Sequence, residues 1–288
     1  MNKVKQIAYR IAKSFVWNGF REKKHIKFYG VGAFKRKEEI ILSIYLDEKF
    51  FNYEDYINQL FQKFYKNVKV KITFCEKFIP YMNLSVGDKV RHKKLRGWGT
   101  LGGFCKELGT SYKLAISNNH VFANSNNAQL GDPLEKYPNQ IFGELYKFIP
   151  LKPYPKINLV DVAVGIIYEE YKLDWINRKP KAIGKPRRNM LVYKYGARIG
   201  YTEGIIENTG SLFIVNYGHH LGELNFKDCI VIRGINGPFA LPGDSGSLVI
   251  AKKSNKVVGM IFSGEGRGER CLANPFSYIA KKLKIDLL

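Results

Sequence analysis

The sequence contains no run of about 18 uncharged apolar residues, which excludes a transmembrane helix. It is poor in cysteine, with four among 288 residues. Cys75, Cys105, Cys229 and Cys271 form no CxxC pair and no Cys/His cluster with zinc spacing. A zinc site and a dithiol redox motif are therefore excluded, and neither a metal nor an organic cofactor is implied. The amino-terminal stretch, residues 1–17, lacks the unbroken apolar segment of a signal peptide, because Lys5, Arg10 and Lys13 interrupt it. It reads as a short amphipathic helix packed on its own domain. With no export signal, four reduced thiols in a cytoplasm are the expectation. Acidic residues are also scarce. Against 47 Lys and Arg stand 25 Asp and Glu, a net charge of +22. Such a field attracts polyanions. The lysines, however, are spread along the whole chain, and no RNP-like, helix-turn-helix or zinc-finger pattern concentrates them. A solvated basic surface is the simpler reading, with nucleic acid as a weakly supported partner.

What is present divides near Ile79-Pro80-Tyr81. Residues 1–80 show an α+β pattern: the first helix, strands over 26–35 and 39–46, a helix over 53–65 and a strand over 67–75. In the 53–65 segment Tyr56, Ile57, Leu60, Phe61 and Phe64 recur at helical spacing, whereas Val68, Val70, Ile72 and Phe74 alternate as in a half-buried strand. Residues 81–288 have a different texture. Short apolar runs such as KLAIS, DVAVGII, LFIVNY, CIVIRG, SLVIA and VVGMIF recur between Gly, Asn and Pro turns. Regular short strands with turn signals predict a sandwich or barrel. A terminal helix is expected over 276–284.

Three motifs carry chemistry. In Leu241-Pro242-Gly243-Asp244-Ser245-Gly246-Ser247, glycines on both sides of Ser245 allow a tight turn that exposes the hydroxyl. A serine hydroxyl is a weak nucleophile that needs a base and a place for developing negative charge. The backbone N–H groups of Gly243 and Ser245 can point into one small space and supply that place. In Ser117-Asn118-Asn119-His120-Val121, a strand runs into a polar turn that presents a histidine. Imidazole titrates nearest neutrality and suits a general base. The Asn118-Asn119 pair is expected to shape this turn, since Asn tolerates left-handed backbone. His25, His92, His219 and His220 fit surface or capping roles better. In Asn158-Leu159-Val160-Asp161-Val162, an acid stands at the head of an apolar strand, where it can point inward and orient the imidazole. Asp132 and Asp174 are its competitors. The chain order His, Asp, Ser is that of the chymotrypsin barrels, not of subtilisin or the α/β-hydrolases.

From about residue 86 to 288 the chain resembles trypsin-like serine peptidases of the chymotrypsin fold, on the motifs SNNHV, DVAV, GDSGS and VVGMIFSG. It is similar in particular to bacterial intracellular members, through Gly99–Phe104, Ser117–Val121, Asn158–Val164, Gly196–Ile205 and Gly243–Val249. Such proteins often carry a small amino-terminal α+β domain with a GVG-like strand, as at Gly30-Val31-Gly32. The resemblance implies a mostly β chain: a chymotrypsin-like double β-barrel over 81–288, preceded by the small α+β domain over 1–80. It implies hydrolysis of peptide bonds through an acyl-enzyme, with a protein or peptide substrate. Ser245 would be the nucleophile, His120 the base and Asp161 its orienting partner, with Gly243 and Ser245 as oxyanion donors. Phe239, six residues before the nucleophile, and the strand carrying Phe262, Ser263 and Gly264 would form the substrate pocket. No acid stands at 239, so a small or apolar side chain is expected at the cleavage position.

Two departures from the family bear on control. No Ile-Val-Gly-Gly sequence precedes the protease region, so activation by a newly cut amino terminus is not expected, and Asp244 needs another partner or has none. Phe262 stands where many relatives place a serine near the triad aspartate. Restraint by the amino-terminal domain or a regulatory protein is one expectation. The alternative is a non-catalytic or partner-activated interaction module.

Overall fold

The structure, a computed structural model, describes residues 28–36, 39–47, 54–55, 58–59, 68–75, 82–176 and 178–288. The chain forms two compact units, Met1–Pro80 and Tyr81–Leu288.

In the first unit the described residues form a three-stranded sheet of Phe28–Arg36, Glu39–Asp47 and Val68–Cys75, in that spatial order. The first two strands are antiparallel, as a two-residue connection requires, with Val31 opposite Ile44. The third runs parallel to the second, with Ile72 beside Ile44. A parallel return needs a crossover, and within the connecting segment 54–55 and 58–59 are helical. The helix expected over 1–17 and the rest of that expected over 53–65 lie outside the described residues.

The second unit is built from two eight-stranded sheets and a two-stranded parallel pair, Met82–Ser85 with Tyr171–Asp174. The first has the spatial order Ile285–Leu287, Gly103–Glu107, Lys113–Ser117, Ala163–Ile167, Gln140–Phe148, Pro133–Lys136, Lys89–His92, Gly99–Thr100. It wraps a core that includes Leu84, Val90, Leu101, Phe104, Phe122, Leu134 and Phe142. In the second sheet, Glu223–Gly234, Gly200–Asn216, Leu191–Gly196, Leu248–Ala251 and Lys256–Gly264 lie side by side. The strand Arg270–Pro275 pairs with both Lys256–Gly264 and Glu223–Gly234, so six strands close into a ring. Closure removes free edges. Inside lie Val192, Ile206, Ile230, Ile232, Phe239, Val249 and Ile261. The chain is thus mostly β and forms a double barrel.

A further core joins the barrels. Leu114, Ile116 and Val164 of the first sheet, with Val162 just before its strand, pack with Leu248, Val257 and Met260 of the second. Phe276, Ile279 and Leu283 of the helix Phe276–Leu283 complete this core. Their spacing is that of one helical face.

Between the barrels, the segment 99–102 is in contact with two loops at once. Thr100 N donates to Ser245 O at 2.8 Å, and Gly102 N donates to Ile116 O at 2.9 Å. At Gly99 and Gly102 there is no room for a side chain. A Cβ on Gly102 would lie 2.2 Å from Gly246 O, and one on Gly99 would lie 2.4 Å from the Val121 side chain and 3.1 Å from Ser245 O. Gly102→Ala should therefore destabilise the unit by about 1–3 kcal/mol, because backbone must shift on the side of Gly246. Urea unfolding checks this, and an unchanged midpoint would mean that the two loops are not tied through this segment.

Candidate active site

The turn around Ser245 is shaped by backbone freedom and by a buried charge. Gly243 and Gly246 adopt φ of +107° and +99°, values that L side chains rarely take. A Cβ on Gly246 would also lie 2.3 Å from both Ser117 Oγ and Thr100 O. The turn thus rests directly on the end of the strand that leads to His120. Thr100 Oγ1 donates to Gly243 O at 2.8 Å, and Ser247 Oγ donates to Asp244 O at 2.6 Å. Asp244 is fully buried, and its carboxylate accepts from Arg198 N at 2.8 Å and Leu241 N at 3.0 Å. Its counter-charge is Lys194, also fully buried, with Nζ 3.1 Å from Oδ2. Burial pulls the Lys194 ammonium below the usual lysine range, and the Asp244 charge opposes that pull. Lys194 stands on the inward face of its strand with Val192 and Gly196. A Cβ at Gly196 would lie 2.2 Å from Asp244 Oδ1, so only glycine leaves the carboxylate its place.

This turn leaves two donors free. Neither Gly243 N–H nor Ser245 N–H donates to an acceptor among the described residues. Ser245 lines a cavity of about 210 Å³, with Ala240, Leu241, Pro242, Ile261, Ser263, Gly264, Glu265 and Gly266.

His120 lies in a single helical turn, Asn119–Phe122, directly after the strand Lys113–Ser117. Its Nδ1 is 2.6 Å from Asp161 Oδ2, and its backbone N–H donates to Asp161 Oδ1 at 3.3 Å. Asp161 is fully buried, while His120 is partly open to solvent. The backbone of Asp161 is held from both sides. Asn118 Nδ2 donates to its carbonyl at 2.8 Å, and its N–H donates to Asn274 Oδ1 at 2.8 Å. A third donor reaches the carboxylate: Tyr217 Oη is 2.5 Å from Asp161 Oδ2. Among the described residues no hydrogen bond joins His120 to Ser245. Their loops are instead held side by side through Gly99, Thr100 and Ser117.

Several expectations change at this level. Asn118 does not use left-handed backbone: its φ is −76°. The asparagines shape the turn through their amides, Asn119 Nδ2 donating to Asn126 Oδ1 at 2.8 Å and to Ile149 O at 2.9 Å. Left-handed backbone falls later, at Asn124, Ser125 and Asn126. His92 is not a surface residue. It is buried, with Nε2 3.0 Å from Asp132 Oδ2, and Lys94 N donates to its Nδ1 at 3.2 Å. The competitor Asp132 is therefore engaged within the first barrel. Of the expected pocket residues, Ser263 and Gly264 line the cavity beside Ser245, but Phe239 and Phe262 do not. Phe239 is fully buried in the core of the second barrel. Phe262 packs on Phe226 with ring centroids 4.7 Å apart. Both rings turn inward because their neighbours offer apolar burial and the cavity side offers solvent.

Comparison with known proteins places this geometry. Residues 156–285 match the model of peptidase family S64. No curated protein matches the chain. Among solved structures, Nocardiopsis protease (NAPase) is similar with a TM-score of 0.53 at 13% identity, covering 71% of this chain and 98% of that one. Thermobifida fusca protease A gives 0.52 at 13% identity, with 72% and 98% covered. Cellulomonas bogoriensis chymotrypsin gives 0.50 at 16% identity, with 72% and 99% covered. The fold is that of the chymotrypsin-like serine peptidases. The resemblance read from the motifs thus extends to the architecture of the double barrel.

Within this chymotrypsin-like unit the Lys194–Asp244 pair lies entirely in the interior. Lys194→Met removes one partner and leaves a buried carboxylate uncompensated, so it should cost about 3–5 kcal/mol. Thermal unfolding at neutral pH measures this, and a variant as stable as the parent would mean that the pair does not hold the turn.

Proposed function

We propose that the chain is a serine endopeptidase in which Ser245, His120 and Asp161 act as a triad. The observation that carries this reading is the short His120–Asp161 contact on a loop tied through Gly99, Thr100 and Ser117 to a glycine-flanked serine turn with two unengaged backbone donors. Because Asp161 occupies His120 Nδ1, Nε2 is the nitrogen left to serve Ser245. In the reaction, Ser245 Oγ attacks the scissile carbonyl carbon while His120 takes the hydroxyl proton. The carbonyl oxygen gains the negative charge, stabilised by the N–H groups of Gly243 and Ser245. Collapse breaks the C–N bond, and His120 returns its proton to the leaving amine. Water, deprotonated by the same imidazole, then releases the acyl group. The His120–Ser245 hydrogen bond forms when substrate closes the site, as is common for catalytic contacts that are long in free enzymes.

The cavity beside Ser245 supports a small or apolar side chain at the cleavage position. Its walls include Ala240, Leu241 and Ile261. Glu265 at its margin is half exposed, with Arg270 Nη1 3.8 Å away. Lys194 supplies Asp244 with a cation from within the same chain, which supports a site that needs no cut amino terminus. Control then falls to the small amino-terminal domain or to a partner protein. Cys105, Cys229 and Cys271 are buried free thiols, and burial raises the pKa of each. This fits a reducing, cytoplasmic setting. No helix of the described residues is long and apolar enough to cross a membrane.

The decisive experiment is mass spectrometry of the full chain after exposure to a fluorophosphonate. A single adduct on Ser245 is expected, absent from Ser245→Ala, whose peptide hydrolysis should fall by on the order of 10⁶-fold. A well-folded chain that gains no adduct would favour the alternative, a partner-activated or non-catalytic module.

A separate surface supports an acidic protein partner. A groove of about 1050 Å³ on the second barrel carries Lys185, Arg187, Arg188, Lys252, Lys253 and Lys256, with no acidic residue in its lining. Of these, Lys252 alone has an ion-pair partner among the described residues, Glu203 at 2.6 Å. Ile183, Met190 and Val258 give the groove apolar contact area, and it has no aromatic ring on which bases could stack. A labelled peptide alternating Glu and Leu should bind at low salt, weaken steeply as salt rises and be lost in Arg188→Glu/Lys253→Glu. Tighter binding of a single-stranded oligonucleotide than of the peptide would reverse this choice of partner.

A further inference from the structure

We propose that Tyr217 is a positioning residue for the triad: its hydroxyl, delivered by the tip of a long hairpin, fixes the carboxylate that orients His120. This inference rests on the catalytic reading above and adds to it a residue that no motif marks. Asp161 Oδ2 receives two short contacts, from His120 Nδ1 at 2.6 Å and from Tyr217 Oη at 2.5 Å. The phenol ring also meets the imidazole edge to face, with centroids 5.9 Å apart and planes at 79°. One side chain therefore touches both members of the pair.

The position of the hydroxyl is set by a closed turn and by ring packing. Tyr217 follows the strand Gly200–Asn216 and precedes Glu223–Gly234. Its turn is closed by Tyr217 N donating to Gly222 O at 2.8 Å, and by Gly218 N donating to Asn216 Oδ1 at 2.7 Å. Gly218 and Gly222 sit at φ of +75° and +64°, backbone that favours glycine. On its other face the ring stacks on Phe226, with centroids 5.8 Å apart and planes at 20°, and Phe226 in turn packs on Phe262. Phe262 occupies the position where the resemblance implies a serine near the aspartate. The ring at 262 thus supports, through Phe226, the tyrosine that brings a hydroxyl to Asp161 from another strand.

The protonation state suits a donor. Burial first, and then the adjacent Asp161 charge, push the Tyr217 hydroxyl well above the usual phenol range. The titratable groups acting on it are Asp161, which it shares with His120, and Cys229, whose thiol burial pushes up to about 12. Tyr217 therefore stays neutral across the working range, donates its proton to Asp161 and shares Oδ2 with the imidazole. It limits rotation of the carboxylate, and it also draws off part of the charge that would otherwise act on His120.

Tyr217→Phe separates these effects from packing, because it keeps the ring and deletes only the hydroxyl. With a peptide substrate, kcat is expected to fall about ten-fold with KM little changed, the loss of one hydrogen bond to a charged group. The acid limb of the kcat/KM profile should move to higher pH, since the full carboxylate charge then acts on the imidazole. A second readout does not depend on catalysis: the low-field proton resonance of the His120 Nδ1–H, assigned by its loss in His120→Ala, should move in Tyr217→Phe. A fall in kcat with an unmoved acid limb and an unmoved resonance would reduce Tyr217 to a packing role and overturn the proposal. So would parental kinetics. Should the parent prove inactive towards both fluorophosphonate and peptide, the catalytic reading fails by itself, and the resonance still decides whether Tyr217 governs the His120–Asp161 pair.

Discussion

The serine turn of the candidate site depends on one buried ion pair. Asp244 points into the protein, away from the cavity, and its carboxylate is met by Lys194 and by backbone donors from two loops. Desolvating two charges is costly unless geometry and additional hydrogen bonds compensate. Here the compensation specifies shape. With Asp244 anchored, the chain must reverse at Gly243 and Gly246, and Ser245 is left at the cavity with two backbone donors unengaged. A cation that is part of a core strand makes this arrangement intrinsic to the folded chain.

The second organising point is Asp161. Its backbone is held by Asn118 and Asn274, and its carboxylate by His120 and Tyr217. These four residues come from the histidine turn, the last strand of the second barrel and a hairpin tip. A buried aspartate whose backbone and carboxylate are together held by partners from three elements has little freedom to turn. The two anchored acids, Asp244 and Asp161, thus fix the serine turn and the imidazole independently, and the segment 99–102 sets the distance between them.

The legibility of this arrangement follows its locality. Ser245 and His120 are visible because a glycine-flanked serine and a strand-to-turn histidine are short-range signals. The strands of the second unit are visible because apolar residues recur between turn residues, and the closing helix because its apolar positions share one face. Lys194 was within reach: it sits two residues from Val192 and two from Gly196, on the face a strand of that pattern buries. Charge alone suggests the opposite, because lysine usually faces solvent. His92 escapes for the same reason, its partner Asp132 being distant in sequence. The resemblance places Phe239 at the pocket by its distance from Ser245 and Phe262 by its strand, whereas both rings lie in apolar cores of the second barrel. Tyr217 carries no signal at all, since nothing near it in sequence shows that the hairpin reaches Asp161.

The first barrel is finished by residues that come last. Ile285–Leu287 pairs with Gly103–Glu107, and the helix before it fills the seam between the barrels. The histidine-bearing sheet therefore borrows an edge strand from beyond the serine-bearing one. The first sheet is thus completed only by a strand from the far side of the second barrel's sequence. In chain order, the strand that completes the sheet behind the imidazole turn follows every strand of the second barrel. Completion of the histidine-bearing sheet is thereby tied to a segment that lies beyond the serine turn in the chain.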